Sequence, residues 1–360
     1  MSIKNKYISI LLLLLAFSNI YAQMDTIHLE EILVTARASK DIIQSNISGE
    51  SIELGGVHDV GEIFLNQSGF GVIKRGNYAM EPVLRGYKYE QLNVQINGGI
   101  RSSNACPNRM DPAISQISPE DIEKLEIIKG PYSVRFGPSF GGILNIITKR
   151  PEKSDVFKIS GSVDGGFESN GSNYFGNVNI AMVNKSYDLL IGGGYKDYGN
   201  YISGDGDEIA SSFTRTAYSV KLGLNPGHHQ RIQINWQQGF ARDIMHAGLP
   251  MDADRDDASI LSVDYQNLYL TDKLFSLKAK VYGSFVDHEM SNNNRPNYAA
   301  VHAVTPVNAM VYGGRTELGI KASENNFIYL GIDYEHIEKD GKRIREVYYN
   351  ACSGASFDPP

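Results

Sequence analysis

The feature that most constrains this chain is a regular alternation of apolar and polar residues after Pro151. Segments of roughly ten to fourteen residues alternate in this way, and about nine or ten of them precede residue 338. Residues 231–237 and 275–282 are the clearest examples. A period of two predicts strands with two unlike faces, one suited to lipid and one to a wet interior. A soluble β-sandwich would show the same alternation, so the strands alone leave two architectures open.

The N-terminus has the pattern of a secretory signal. Lys4 and Lys6 precede the apolar run Ile8–Phe17, and Ala22 supplies a small residue at the expected cleavage point. The alternative is a membrane anchor, but the run is shorter than the about 20 apolar residues that a spanning helix needs. Residues 1–22 are therefore predicted to be a cleaved signal. No later apolar run reaches spanning length, so an integral membrane form would have to be a barrel.

Composition argues against several classes of protein. The chain has 21 tyrosines, 36 glycines and a single tryptophan, a mix typical of a β-rich, loop-rich protein. Its formal net charge is -7, and no basic stripe is visible, which argues against a nucleic-acid partner. No phosphate-binding loop and no combination of nucleophile, base and orienting group can be recognised. We therefore predict that the protein is not an enzyme and that any transport draws its energy from a partner.

Residues 51–150 have a compact α+β pattern interrupted by glycine. Tyr89–Asn97 is predicted to be a strand with alternate apolar side chains on one face. Ser118 followed by Pro119 predicts a helix start, and the helix can last only about two turns because Leu125–Ile128 is β-like. This region therefore has the signs of a small mixed domain placed before the alternating segments.

The region before this domain is polar, with one exception. The stretch Leu29–Ala36 is β-prone and has little around it to pack against. It is either an ordinary first strand or a segment that adds to the sheet edge of another protein.

A series of motifs in residues 71–149 identifies a family. The motifs are Gly71–Gly76, Pro82–Gly86, Val94–Gly98, Ile122–Pro131 and Gly141–Lys149. In this order they resemble the successive plug motifs of TonB-dependent outer-membrane receptors, and the resemblance covers residues 1 to about 340. It implies a signal, a leader, a plug domain and a transmembrane β-barrel of about 22 strands.

The resemblance assigns each part of the chain a role. The parts are the signal 1–22, the leader 23–50, the plug 51–150 and the N-terminal portion of the barrel 151–360. The last part has room for about half of the strands expected. The expected fold is thus an α+β plug followed by antiparallel transmembrane β-barrel strands, with the barrel incomplete in this chain.

The resemblance also implies a partner and a location. The β-prone stretch falls where the family carries its TonB box, the segment bound by the energy-coupling protein TonB. The box residues are Ile32, Leu33, Val34, Thr35 and Ala36. The expected location is the outer membrane of a Gram-negative bacterium, with lipid around the barrel.

Two separate segments contain soft metal ligands. Cys106 and Met110 lie four residues apart in the plug, whereas His288 and Met290 follow the apolar odd-numbered positions from Phe275 to Phe285. Side chains alternate between the two faces of a strand, so the even-numbered residues His288 and Met290 lie on the face opposite to the apolar one. That face is expected to line the lumen, where the plug lies. Thiolate, thioether and imidazole together suit copper, especially Cu(I), better than calcium or a closed zinc site. We therefore predict a copper site formed by Cys106, Met110, His288 and Met290.

These residues also resemble the signature of the copper-specific branch of the family, Cys-x-x-x-Met in the plug and His-x-Met in the barrel. Residues 108–112 match that branch as well, and the resemblance implies that copper is the transported ligand. Each piece has a plainer alternative. A methionine is often core filler, a histidine on a strand is often polar lining, and Cys106 could pair with Cys352.

A second soft cluster, Met245, His246 and Met251, falls in a predicted loop. It is either a weak capture site at the mouth or incidental. Two other functions compete with copper import. A receptor for a siderophore or another organic metal chelate would not need a thiol, and a surface adhesion protein would have no use for a TonB box.

Overall fold

The computed structural model describes residues 44–49, 57–350, 352 and 354–356. The predicted signal and the predicted TonB box at residues 32–36 lie outside these ranges. The described chain consists of a small plug, built on a mixed sheet, and a large antiparallel sheet that we name the wall. No helix in the described residues is long and apolar enough to cross a membrane.

The plug is built around one four-stranded sheet. The plug as a whole has six strands: β1 (Gln44–Ser48), β2 (Phe70–Ile73), β3 (Glu81–Leu84), β4 (Leu92–Ile96), β5 (Ile122–Lys129) and β6 (Gly142–Thr148). The sheet order is β1-β5-β6-β4, with β4 parallel to β6 and the other pairs antiparallel, while β2 and β3 pair separately. Every residue of β6 is buried, as a nearly continuous apolar run predicts for an interior strand.

Short 3-10 helices join the strands, and two of them correct the sequence prediction. They span Val60–Asn66, Tyr89–Gln91, Ala113–Gln116, Pro119–Asp121 and, in the wall, Pro296–Ala299. The predicted helix after Ser118 is a single 3-10 turn, and Ser118 makes no side-chain capping bond. The prediction of about two turns was wrong because β5 begins at Ile122 and pairs on both edges. Likewise, the strand predicted from Tyr89 starts only at Leu92.

The wall follows the plug in the chain. Its ten strands are β7 (Lys158–Glu168), β8 (Asn173–Val183), β9 (Tyr187–Tyr198), β12 (Phe213–Gly227), β13 (Gln230–Ile244), β14 (Asp252–Leu268), β15 (Leu274–Ser291), β16 (Val301–Ser323), β17 (Asn326–Gly341) and β18 (Ile344–Val347). Two separate pairs of short strands accompany it: β10 (Tyr201–Ile202) with β11 (Glu208–Ile209), and β19 (Tyr349–Asn350) with β20 (Ala355–Ser356). The 10-stranded sheet runs from β7 to β17 with antiparallel neighbours, and β18 adds to β16. The sheet is not closed, in agreement with the predicted incomplete barrel.

The two faces of the wall differ as the alternation predicts. On β15, Val281 and Phe285 are 60% and 47% exposed, whereas His288 and Met290 are 0% and 2% exposed. The predicted parity is therefore confirmed. The buried face contacts the plug: Lys280 on β15, for example, donates to the backbone oxygen of Asn97 at 2.5 Å.

Candidate metal centre

The plug contributes a tight turn that begins at Cys106. The backbone N–H of Arg109 donates to the Cys106 oxygen at 2.9 Å, and Arg109 has a left-handed φ of 55°. The carboxylate of Asp111 accepts from the N–H groups of Ala105 at 2.5 Å and Cys106 at 3.0 Å. Asp111 thus folds the segment back on itself and holds the backbone of Cys106 in place. Cys106 and Met110 are both buried in one cluster.

The wall contributes His288 and Met290 from the end of β15. The Cys106 sulfur lies 3.7 Å from the Met290 sulfur. Ligand atoms of Cys106, Asp111 and His288 all lie within 4.8 Å of one another. Met110 and Met290 belong to the same buried cluster as Cys106. Cys106, His288 and Met290 are therefore brought together across the boundary between plug and wall, and Met110 lies in the same buried cluster as both sulfur-containing residues. The role of the four residues as copper ligands stays a prediction.

Asp256 on β14 is a residue that the sequence analysis did not identify. Its carboxylate lies 3.3 Å from His288 Nδ1 and accepts from the Tyr78 hydroxyl at 2.6 Å. Asp256 and His288 are register partners on adjacent strands, so their side chains share one face. The other ring nitrogen, Nε2, is buried and has no hydrogen-bond partner among the described residues. A carboxylate on one nitrogen and an open second nitrogen are typical of an imidazole prepared to bind a metal.

Asp111 lies in the motif formed by residues 108–112, but the sequence did not predict it as a site residue. Burial raises the pKa of Asp111 to about 6. A positive charge on the His288 ring would lower this pKa, whereas the negative charge of the Asp256 carboxylate raises it further. Both of its oxygens already accept backbone hydrogen bonds. Asp111 therefore acts first as the brace of the Cys106 turn.

The remaining sequence predictions for this region have clear outcomes. Cys106 is a free buried thiol and Cys352 is exposed, so the alternative of a disulfide between them is wrong. The loop predicted around His246 is confirmed, since it joins β13 to β14. His246 and Met251 are buried, however, rather than open at a mouth. Burial, together with the nearby His288 and Arg75, lowers the pKa of His246 to about 3.

This arrangement gives the site a specific chemistry. It offers two kinds of sulfur and an imidazole in a buried, water-poor space, with one carboxylate orienting the imidazole and another bracing the thiol turn. Soft sulfur donors select Cu(I) over hard cations such as Mg²⁺ and Ca²⁺. Because the donors come from two structural units, the site is complete only when the plug is seated against the wall.

Comparison with known proteins identifies the first unit. Residues 36–143 match the family model described as the TonB-dependent Receptor Plug Domain. Over these residues the chain is similar to a TonB-dependent receptor plug domain. The sequence resemblance stated above is thereby confirmed for the plug.

The names of similar proteins include both iron and copper. The ferric aerobactin receptor of Klebsiella pneumoniae is 28% identical over 155 residues, which cover 42% of this chain and 20% of that protein. The solved structure of the copper transporter OprC has a TM-score of 0.76 at 23% identity and covers 88% of this chain. The FrpB iron transporter of Neisseria meningitidis has a TM-score of 0.69 at 15% identity and covers 83% of this chain. At these identities the two structures show the fold.

The chain spans only part of these proteins. It matches 49% of the OprC chain and 49% of the FrpB chain.

Proposed function

We propose that this protein is a TonB-dependent outer-membrane receptor that imports copper. One observation supports this function above others. Across the plug–wall boundary, the Cys106 sulfur meets the Met290 sulfur at 3.7 Å, beside a buried imidazole whose Nε2 has no partner among the described residues. A thiol, thioethers and an oriented imidazole converging in one buried cluster suit copper.

Copper recognition in this proposal divides between the two units. Cys106 and Met110 belong to the plug, and His288 and Met290 belong to the wall. Neither pair offers enough donors to hold copper tightly, so affinity depends on plug position. TonB, pulling on the box at residues 32–36, would separate the two pairs and release the metal inward.

A receptor for an organic iron chelate is the second candidate. It is favoured by the sequence similarity to a protein named ferric aerobactin receptor. A chelate pocket is lined mainly by aromatic and polar groups that bind the organic ligand. Such a receptor has no chemical need for the Cys106 thiol, and this difference separates the two candidates.

Metal analysis of the protein purified from outer membranes tests the proposal. Wild type loaded with copper should retain the metal through gel filtration, and Cys106→Ala should lose it. Cys352→Ala is the matched control, because it removes an exposed thiol and should retain copper. Copper retained equally by all three proteins would refute the site. Copper-limited growth that depends on the receptor but not on Cys106 would favour the organic chelate.

A further inference from the structure

His58 connects the plug to the wall through two carboxylates. It stands directly before Asp59, the N-cap of the first 3-10 helix of the plug. Its Nε2 lies 2.8 Å and 2.9 Å from the two carboxylate oxygens of Glu168, the last residue of β7 in the wall. Its Nδ1 lies 3.0 Å from Oε2 of Glu62, which belongs to the plug. A protonated imidazole donates from both nitrogens, so it can satisfy both carboxylates at once.

The groups around His58 are held in place by further contacts. Asn173, which is 3% exposed, donates from Nδ2 to Glu168 Oε2 at 2.9 Å. On β9, Lys196 Nζ donates to the backbone oxygen of His58 at 3.1 Å. The ring of Tyr198 meets the imidazole in an edge-on arrangement, with ring centroids 4.8 Å apart. The imidazole is therefore kept between the two carboxylates while the plug is seated.

Other ion pairs between plug and wall are built on lysine or arginine. Examples are Lys196–Glu120, Arg135–Glu317 and Arg101–Glu335. Lysine and arginine as residue types keep their charge well above neutral pH, whereas histidine changes its charge near neutrality. The pair of His58 with Glu168 therefore differs from these pairs, because a modest change of pH can break it.

The surroundings of His58 favour the protonated ring. Burial lowers the pKa of His58, but hydrogen bonding to Glu62 and the negative charges of Glu62 and Glu168 outweigh burial and raise this pKa above its ordinary value of 6.5. The other titratable or charged groups near this cluster are Lys74, Glu120, Lys196 and Tyr198. A group with a raised pKa in the seated state stabilises that state at low pH and loses this effect as pH rises through the raised value. The contact is therefore complete below the ordinary value of 6.5 and weakens above it.

We propose that His58, Glu62 and Glu168 form a proton-dependent latch that holds the seated plug against the wall. The latch is closed while the imidazole is protonated. When the ring releases a proton to water, one N–H donor remains for two carboxylates, and their negative charges are no longer balanced. The plug then separates from β7 more easily. The inference rests on the proposed function only in that plug movement releases the cargo, and it does not depend on which metal is carried.

Hydrogen exchange of the copper-free, full-length protein in detergent tests the latch between about pH 6 and pH 9. Exchange in residues 57–66 would be expressed as protection factors, which remove the intrinsic effect of pH on exchange. The protection of wild type relative to His58→Gln should fall about three- to tenfold across this range, as expected for a partly exposed ion pair with charged hydrogen bonds. The ratio isolates His58, because groups that titrate elsewhere act on both proteins.

Two further variants make the result decisive. Glu168→Gln removes the charge of the wall partner and leaves the plug sequence unchanged, so it should lower protection at pH 6 even if His58→Gln folds poorly. His302→Gln is the matched control. His302 Nδ1 lies 3.5 Å from Glu346 Oε2, and both residues belong to the wall, so this variant should keep the wild-type profile.

The outcomes separate the latch from the copper function. A wild-type profile in Glu168→Gln, or an equal change in His302→Gln, would overturn the latch. Failure of the copper function would appear instead as wild-type protein that retains no copper through gel filtration, and it would leave these exchange profiles unchanged.

Discussion

The link from Tyr78 through Asp256 to His288 allows a quantitative prediction about the metal centre. All three side chains are buried, and Asp256 contacts the other two at 2.6 Å and 3.3 Å. Asp256→Asn preserves size and can still accept a hydrogen bond from the imidazole, but it removes the negative charge. The imidazole then becomes a poorer donor to copper. Loss of such an orienting carboxylate weakens metal binding about 10- to 100-fold, or about 1.4–2.8 kcal/mol.

Asp256→Ala should be worse than Asp256→Asn, and for a different reason. It leaves the Tyr78 hydroxyl and His288 Nδ1 buried without partners, at about 1–3 kcal/mol each. The seating of the plug against the wall should therefore weaken by about 2–6 kcal/mol even without copper. Asp256→Asn should change this seating much less, which separates the electronic effect from the structural one.

Competition with a chromogenic copper chelator would measure the affinity, and hydrogen exchange of the plug would measure its seating. Asp257→Asn is the matched control. Asp257 is the next residue of β14, it faces the other side of the wall, and it pairs there with Arg242. Wild-type copper affinity in Asp256→Asn, or an equal loss in Asp257→Asn, would refute an orienting role for Asp256.

Three other predictions concern the plug and its coupling. Burial raises the pKa of Asp59 from its ordinary value near 3.8 to about 6, so the folded plug holds this proton more tightly than the unfolded chain does. Plug stability should fall as pH rises from about 4 to 6, and Asp59→Asn should make that fall smaller, as judged by hydrogen exchange across the pH range. Part of the fall should remain, because burial also raises the pKa of Asp111 and of Asp121 to about 6. An unchanged profile would contradict this assignment. Val34→Pro should prevent strand pairing by the predicted TonB box and abolish copper-limited growth supported by the receptor; normal growth would place the coupling segment elsewhere. Copper should protect residues 100–130 from hydrogen exchange in wild type and much less in a His288→Ala, Met290→Ala double variant, and equal protection in both would mean that the wall does not bind the metal.

Local patterns in the sequence determined much of this protein. The period-two alternation predicted both the wall strands and the face on which His288 and Met290 lie, because side chains alternate along a strand regardless of its neighbours. The ordered motifs predicted the plug, and residue chemistry alone predicted which four side chains suit copper. Local reasoning failed after Ser118, where a good helix start is overruled by pairing of β5 with strands on both sides.

Only the tertiary structure decided which other groups complete the site. Asp256 precedes His288 by 32 residues, and they meet because β14 and β15 pair in one particular register. Tyr78 reaches the same carboxylate only because the plug is seated against the wall. The burial of His246 has the same origin, since its loop is covered by Gly76 of the plug. Register and domain packing depend on contacts between residues far apart in the chain, and no local pattern of residue types encodes them.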